Sequence, residues 1–414
     1  MEISDNVYNL AERVIDEIAV RFMLIDEIAQ KNTEKVLSAF RHHRVSDGCF
    51  AGSTGYGYND KGRETLDLIY ADVFGAPSAL VRTSFASGTH AITAALFAAM
   101  RPGQTLLSAT GAPYDTLQGV IGIKGSHKGS LKDYGMNYTQ IELNDDGSPD
   151  LKAIEVAARD ETVGAVLIQR SRGYSSRRAM SVQEIGVICS AVHNVNERAV
   201  VFVDNCYGEF VETIEPGDVG VDLIAGSLIK NPGGGLSPMG GYVAGRDDLV
   251  EAAAFRMTSP GLGGDIGATL GVNRLLYQGL FLAPHTVAQA MKTAVFCARL
   301  FELMGYKTSP GYLDTRSDIV QMIELGSPEL LERFCCGIQE SAPVDSFVTP
   351  VAGSMPGYDC PVVMAAGSFI QGASIELSAD GPMREPYNVF LQGGLTFESG
   401  KIGIMRAASC MEER

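Results

Sequence analysis

Tryptophan is absent, histidine is scarce at six residues, and the eight cysteines are scattered. The missing tryptophan decides nothing by itself. Cys49, Cys189, Cys206, Cys297, Cys335, Cys336, Cys360 and Cys410 include no Cys-x-x-Cys pair. A disulfide framework or a structural zinc site is therefore not expected, and buried thiols in the cytoplasm are. His42, His43, His127, His193 and His285 show no metal-ligand spacing, so no metal is expected either. Positive charge is also short. Lys and Arg number 33 against 49 Asp and Glu, a formal net charge of −16. That balance argues against nucleic acid or an anionic membrane as the main partner, yet leaves room for a local cationic pocket. No apolar run reaches the roughly 18 residues that suggest a membrane span. The start, Met1-Glu2-Ile3-Ser4-Asp5, is acidic and does not read as a secretory signal.

The 414 residues are 45% hydrophobic and 20% charged, enough for a substantial core in two or three domains or one large α/β unit. Leu10, Val14, Ile18 and Phe22 recur at four-residue spacing, with Ile25 and Ile28 alongside, which predicts helix to about Phe40. Gly55-Tyr56-Gly57-Tyr58-Asn59-Asp60 predicts a loop, unusual for its two tyrosines. Apolar runs Thr105 to Ser108, Ala165 to Gln169, Val200 to Val203 and Leu223 to Ala225 read as buried strands. Helical patterns such as Ala91 to Met100 and Val182 to Val192 lie between them. This alternation predicts an α/β fold with a mainly parallel sheet flanked by helices. Asp265 to Met304 reads as mainly helical, with Pro284 starting or interrupting a helix, and Val362 to Phe369 reads as strand. The expected division is an N-terminal helical segment (1–50), a large α/β domain (51–270), and a helical linker with a smaller C-terminal α+β domain (271–414).

Ligands in parallel sheets sit at the carboxyl ends of the strands, so the residues just after each strand carry the functional signal. Ser87-Gly88-Thr89 opens the helical run that ends at Met100. Free backbone N–H groups and small residues there suit a phosphate, although an ordinary Ser or Thr N-cap explains the same residues. Asp204 directly follows an apolar strand, as a carboxylate facing a cationic ligand would, or as a helix cap would. Lys230, in Ser227-Leu228-Ile229-Lys230, follows another. Burial there would lower its pKa and free the amine as a nucleophile; a lysine snorkelling to solvent is the ordinary alternative. Gly233-Gly234-Gly235 lacks the P-loop pattern. Together the three segments supply what pyridoxal 5'-phosphate (PLP) needs: a phosphate seat, an acid for the pyridinium nitrogen and a Schiff-base lysine. Tyr114, after the Thr105 to Ser108 strand, is a candidate to stack on the ring.

In these residues the chain resembles the fold-type I PLP-dependent enzymes of cysteine and methionine metabolism. It most resembles the methionine gamma-lyase branch labelled aluminium resistance protein, which is cystathionine beta-lyase-like. The resemblance rests on Ser87-Gly88-Thr89, Tyr114, Asp204-Asn205-Cys206-Tyr207 and Ser227-Leu228-Ile229-Lys230. Gly55 to Asp60, Gln169-Arg170-Ser171-Arg172-Gly173-Tyr174 and Gly381-Pro382-Met383-Arg384-Glu385-Pro386-Tyr387 carry the branch assignment. It covers Tyr56 to Tyr242 well and the remainder thinly.

The resemblance implies that Lys230 holds the cofactor as a Schiff base and moves substrate protons. It implies that Asp204 keeps the pyridine nitrogen protonated, and that Ser87, Gly88, Thr89 and Ser227 hold the phosphate. Tyr114 would stack on the ring and protonate a leaving thiol. Tyr58 would reach the phosphate of a neighbouring subunit, making a homodimer or homotetramer with shared sites. Tyr56 and Arg384 would bind an amino-acid substrate, with Arg406 as the alternative to Arg384 for its carboxylate. The better-known lyases carry Tyr-x-Arg where this chain has Tyr56-Gly57-Tyr58, and Arg63 is the candidate to replace the lost charge. Arg170, Arg172, Arg177 and Arg178 cluster unusually for so acidic a chain, some as anion ligands and at least two as solvated surface groups. His90 reads as helix packing. The implied activity is elimination of a thiol from a sulfur-containing L-amino acid. A threonine-aldolase-like aldolase or transferase, and a PLP-binding stress protein without turnover, remain the alternatives.

Overall fold

A computed structural model describes residues 2–125, 128–355 and 358–412; His127 lies outside them. The predicted first helix forms α1, Asp5–His42. Ser4 caps it, its hydroxyl accepting from the Val7 N–H at 3.2 Å. Val7, Ala11, Val14, Ile18 and Ile25 form its buried stripe. That stripe lies along α8, Asn273–Leu303. Pro284 neither starts nor breaks α8 but sits within it, correcting the sequence-based expectation. Its missing N–H removes one rung of the ladder, and burial among Leu280, Ala283 and Val287 holds the helix across the gap.

Seven strands form the large sheet: β1 (Ser78–Arg82), β2 (Thr105–Ser108), β3 (Asn137–Gln140), β4 (Val163–Gln169), β5 (Val200–Asp204), β6 (Leu223–Ser227) and β7 (Gly241–Gly245). Their spatial order is β1-β7-β6-β5-β4-β2-β3, and β7 alone runs against the rest. β4 and β5 are buried at every residue, as a parallel sheet covered on both faces requires. Along β5, Val201 and Val203 enter one core while Val200 and Phe202 enter the other. The second core is closed by α3 (Gly88–Ala99) and α7 (Asp247–Met257). Further helices are α2 (Lys61–Val73), α4 (Asp115–Ile121), α5 (Leu151–Ala158) and α6 (Val182–Val195). The last third of the chain forms an antiparallel sheet, in the order β10-β11-β12-β9-β8. Its strands are β8 (Lys307–Ser309), β9 (Gln321–Glu324), β10 (Val362–Ala365), β11 (Ser378–Pro382) and β12 (Asn388–Gln392), with α9 (Pro328–Glu340) and α10 (Phe397–Glu412).

Among the described residues no cysteine forms a disulfide. Among the described residues, no helix is long and apolar enough to cross a membrane. Folding brings His42, His43 and Asp72 together, a grouping the sequence spacing did not foresee. His42 Nδ1 and His43 Nε2 lie 2.9 and 2.8 Å from the same Asp72 oxygen, which ties the end of α1 to the end of α2.

A second imidazole–carboxylate contact joins α6 to the segment before β6. His193 Nε2 lies 2.9 Å from Asp222 Oδ2, and the Asp222 bond pushes the imidazole up to about 10. Asp222 sits below its usual range, because the bond to His193 and its other partners outweigh burial. A raised imidazole pKa stabilises the fold fully below the unfolded value and loses that effect as pH climbs through the folded one. His193→Ala should therefore lower the urea midpoint most at about pH 5–6. Its gap to wild type should narrow as pH rises towards 10.

Candidate active site

One cavity of about 950 Å³ opens at the carboxyl ends of β2, β4, β5 and β6. Ser87, Gly88, Thr89, Tyr114, Asp204, Ser227 and Lys230 all line it, so the fold brings these predicted residues together. Ser87 caps α3, its hydroxyl accepting from the His90 N–H at 3.1 Å. Gly88 is required by close approach: a Cβ there would stand 2.9 Å from Ser227 Cβ. The helix N-terminus with its positive end and the Ser227 hydroxyl thus converge on one spot, an arrangement that fits a phosphate group. His90 packs edge-on against Phe85 and accepts from the Ala86 N–H at 3.1 Å, as expected of a packing residue.

Asp204 ends β5 and is 4% exposed. Its Oδ1 accepts from the Cys206 N–H at 3.1 Å. Burial pushes its pKa up, opposed by the charge of Lys230. Lys230 lies three residues beyond β6, half-buried, with its ammonium 4.1 Å above the Tyr207 ring. Burial works against that charge, but Cys206, Tyr207, Asp204 and Tyr114 together hold the amine protonated well above its ordinary range. The expectation that burial alone would free the amine is therefore corrected. The charge of Lys230 in turn opposes the effect of burial on Asp204. Tyr114 places its hydroxyl 3.0 Å from Thr89 Oγ1, and burial, with Asp204 nearby, raises its pKa.

Tyr56 and Tyr58 do not reach this cavity. They stack on each other with centroids 5.5 Å apart and are 64% and 55% exposed. Their loop is nonetheless fixed, because the Gly267 N–H donates to Tyr56 O at 2.8 Å and the Leu270 N–H to Ser53 O at 3.0 Å. Arg63 is not an exposed replacement cation. It is buried, and its guanidinium donates to the carbonyls of Gly57, Gly267 and Asp265. Arg384 is exposed at the cavity mouth and donates to Tyr174 O at 3.3 Å. Arg406 lies away from the cavity, held by Glu340 and the Glu2 carbonyl.

The arginine cluster divides. Arg170 is buried among Asn205, Glu212 and Glu215, contrary to a solvated role. Arg178 pairs with Glu184. Arg172 and Arg177 line the cavity. Arg172 donates to the Ser309 carbonyl at 2.8 Å, while its Nε and Nη2 find no partner. Arg177 donates to the carbonyls of Gln169 and Ser171, fixing the loop after β4.

Tyr207, Tyr174 and Tyr358 also line the cavity, and the sequence assigned none of them a role. Tyr207 takes a left-handed backbone, φ 71°, which aims its ring under Lys230. Only its place in Asp204-Asn205-Cys206-Tyr207 hinted at this. Tyr174 packs against Phe390 and Tyr358, joining the two sheets' regions at the mouth.

This architecture is that of the fold-type I enzymes. It is similar to the PLP-dependent protein YhfS from Escherichia coli, with TM-score 0.62 and 19% identity over 92% of this chain and 96% of that one. At that identity the likeness speaks for the fold alone. The chain belongs to the methionine gamma-lyase family, whose model matches residues 7–412, and it is accordingly an enzyme of the lyase class. It is 51% identical to a carbon–sulfur lyase involved in aluminium resistance from Clostridium novyi NT, with TM-score 0.95 over 98% of this chain and 96% of that one. It is 50% identical to a proposed cystathionine beta-lyase involved in aluminium resistance from Clostridium acetobutylicum, with TM-score 0.96 over 99% and 96% of the two chains.

The Gly88–Ser227 contact is open to a direct test. Gly88→Ala forces α3 away from β6 and should cost about 1–3 kcal/mol by overpacking. Gly48→Ala, whose added methyl meets nothing closer than Ser46 Oγ at 3.6 Å, should leave the urea midpoint nearly unmoved.

Proposed function

We propose that this chain is a PLP-dependent carbon–sulfur lyase acting on a sulfur-containing L-amino acid. The observation that carries the reading is the convergence of Lys230, Asp204 and the Gly88–Ser227 cradle on one cavity. Each group answers one part of the cofactor: amine for aldehyde, carboxylate for pyridine nitrogen, helix N-terminus and hydroxyls for phosphate. When bound, the cofactor supplies an electron sink that makes the substrate's Cα–H acidic and its C–S bond cleavable.

The chain's own residues do the remaining work. Asp204 holds a proton on the ring nitrogen, a role favoured by a buried carboxylate that lacks a full counter-charge. Lys230 would hold the cofactor's aldehyde and, as a free amine, take the Cα proton as a general base. Tyr114 keeps its phenolic proton and offers it as a hydrogen bond to the departing sulfur. Arg384 at the mouth binds the substrate carboxylate, with Arg172 and Arg177 making that wall cationic. Elimination from Cβ releases a thiol and, after hydrolysis by water, pyruvate and ammonia. Elimination from Cγ needs a further proton loss from Cβ and releases a thiol and, after hydrolysis, 2-oxobutanoate and ammonia.

The active unit contains at least two copies. Tyr58 and Tyr56 stand exposed on a loop anchored by Arg63, as residues that serve a neighbouring subunit would. Free thiols at Cys49, Cys189, Cys206, Cys297, Cys335, Cys336 and Cys360 suit a reducing compartment, the cytoplasm.

Incubation with L-cystathionine and PLP tests the reading. A 2-oxo acid should form, pyruvate marking β-elimination and 2-oxobutanoate marking γ-elimination. Lys230→Ala should lower that rate by about 10²–10⁴-fold. No 2-oxo acid from any sulfur amino acid, with acetaldehyde released from threonine instead, would overturn the lyase assignment in favour of an aldolase.

A further inference from the structure

On the face of β6 opposite Ser227, a chain of buried polar groups joins the residues that follow Asp204 and Lys230. Asn205, Glu209, Glu215, Asn231, Tyr242 and Arg170 are all fully buried. Asn205 Oδ1 accepts from Arg170 Nη1 at 2.7 Å. Asn205 Nδ2 donates to Glu215 Oε2 at 3.2 Å and to the Tyr242 hydroxyl oxygen at 3.3 Å. That hydroxyl donates to Glu209 Oε1 at 2.9 Å. Asn231 Nδ2 donates to the Glu209 backbone carbonyl at 3.0 Å. Glu209 is therefore linked to the Asp204 segment through its side chain and to the Lys230 segment through its backbone. Gly226 makes room for it: a Cβ there would lie 2.7 Å from Glu209 Oε1 and 2.5 Å from Tyr242 Cε1.

Glu209 is poorly provided for as an anion. Among the described residues its Oε2 has no hydrogen-bond partner. The titratable groups facing it are Tyr242 from β7, Tyr70 from α2, Cys206 and Glu215 from the segment after β5, and Lys230 after β6. Arg170 is already engaged by Glu212, Glu215 and Asn205. The Tyr242 hydroxyl and the residue's own backbone N–H, beside a like-charged carboxylate, do not offset the cost of a buried negative charge. Burial accordingly pushes the Glu209 carboxyl up to about 8.

We propose that Glu209 is a positioning residue for Lys230: joined to the lysine's segment through Asn231 and to the Asp204 segment through Tyr242, it is an acid whose negative charge, when present, delays the lysine's proton release. The proposal rests on Lys230 being the cofactor lysine. It gives the family site a second carboxylate, outside the cavity, that acts on the lysine through its field and never touches substrate.

Glu209→Gln keeps the shape and the Tyr242 hydrogen bond while removing the titration. Two readouts separate the proposal from the cofactor reading. The infrared difference between wild type and E209Q should show the carbonyl stretch of a protonated carboxyl at neutral pH, fading as pH passes about 8. In the cofactor-loaded enzyme, the alkaline titration of the bound cofactor's visible absorption should have its midpoint lower in E209Q by about half a pH unit or more. Absence of the carboxyl band at neutral pH, or identical titration midpoints, would overturn the proposal. A carboxyl band in a protein that binds no cofactor would instead overturn the cofactor reading, and with it the role for Lys230. If E209Q does not fold, Tyr242→Phe serves in its place. Loss of the Tyr242 donor to Oε1 should keep the carboxyl band to higher pH, and an unchanged band would count against the proposal.

Discussion

Two opposite charges at the ends of neighbouring strands constrain the rest of this structure. Asp204 is almost wholly out of water at the end of β5, and Lys230 is half-buried beyond β6. A buried carboxylate is costly unless a cation or strong donors meet it. Here the Cys206 N–H donates to the carboxylate and the charge of Lys230, whose ammonium sits over the Tyr207 ring, opposes the cost of burial. The local backbone is shaped to the same end. Tyr207 adopts a left-handed conformation, and Gly88 lets α3 approach β6 closely enough to close the other side.

The fold supports that arrangement from below and from the rim. Below, Arg170, Glu215, Asn205, Tyr242 and Glu209 form a hydrogen-bonded layer that fixes the segments after both strands. Buried polar networks of this kind specify one geometry because any shift leaves a polar group unpaired. At the rim, Arg63 holds two loops through three carbonyls and so fixes the exposed tyrosines. The Tyr174, Tyr358 and Phe390 contacts bring the smaller sheet to the cavity mouth. Rigid elements thus carry the charges, and the smaller sheet supplies the arginine at the entrance.

Much of this was legible in the residues. Strand positions β2, β4, β5 and β6 followed from short apolar runs, because strands covered on both faces must be apolar throughout. Asp204 and Lys230 stood out because charge after such runs is costly, and Gly88 because a small residue opens a helix there. The misses have physical causes. Pro284 stays within α8 because tertiary burial outweighs a lost hydrogen bond. Arg63 was read as replacing a lost charge and at least two of the clustered arginines as solvated, since sequence does not reveal which carbonyls and carboxylates fold around a guanidinium. The Lys230 amine was expected to lose charge on burial, but its neighbours from other segments reverse the sign. Tyr207 acts through one backbone angle, which no side-chain pattern announces.

The central claim is that Lys230 is the residue to which the cofactor binds. The most direct test is to load the protein with PLP, reduce it with borohydride, and locate the pyridoxyl group by peptide mass. The account predicts one modified lysine, in the peptide containing Ser227-Leu228-Ile229-Lys230. A label on any other lysine, or no label at saturating cofactor, would contradict it.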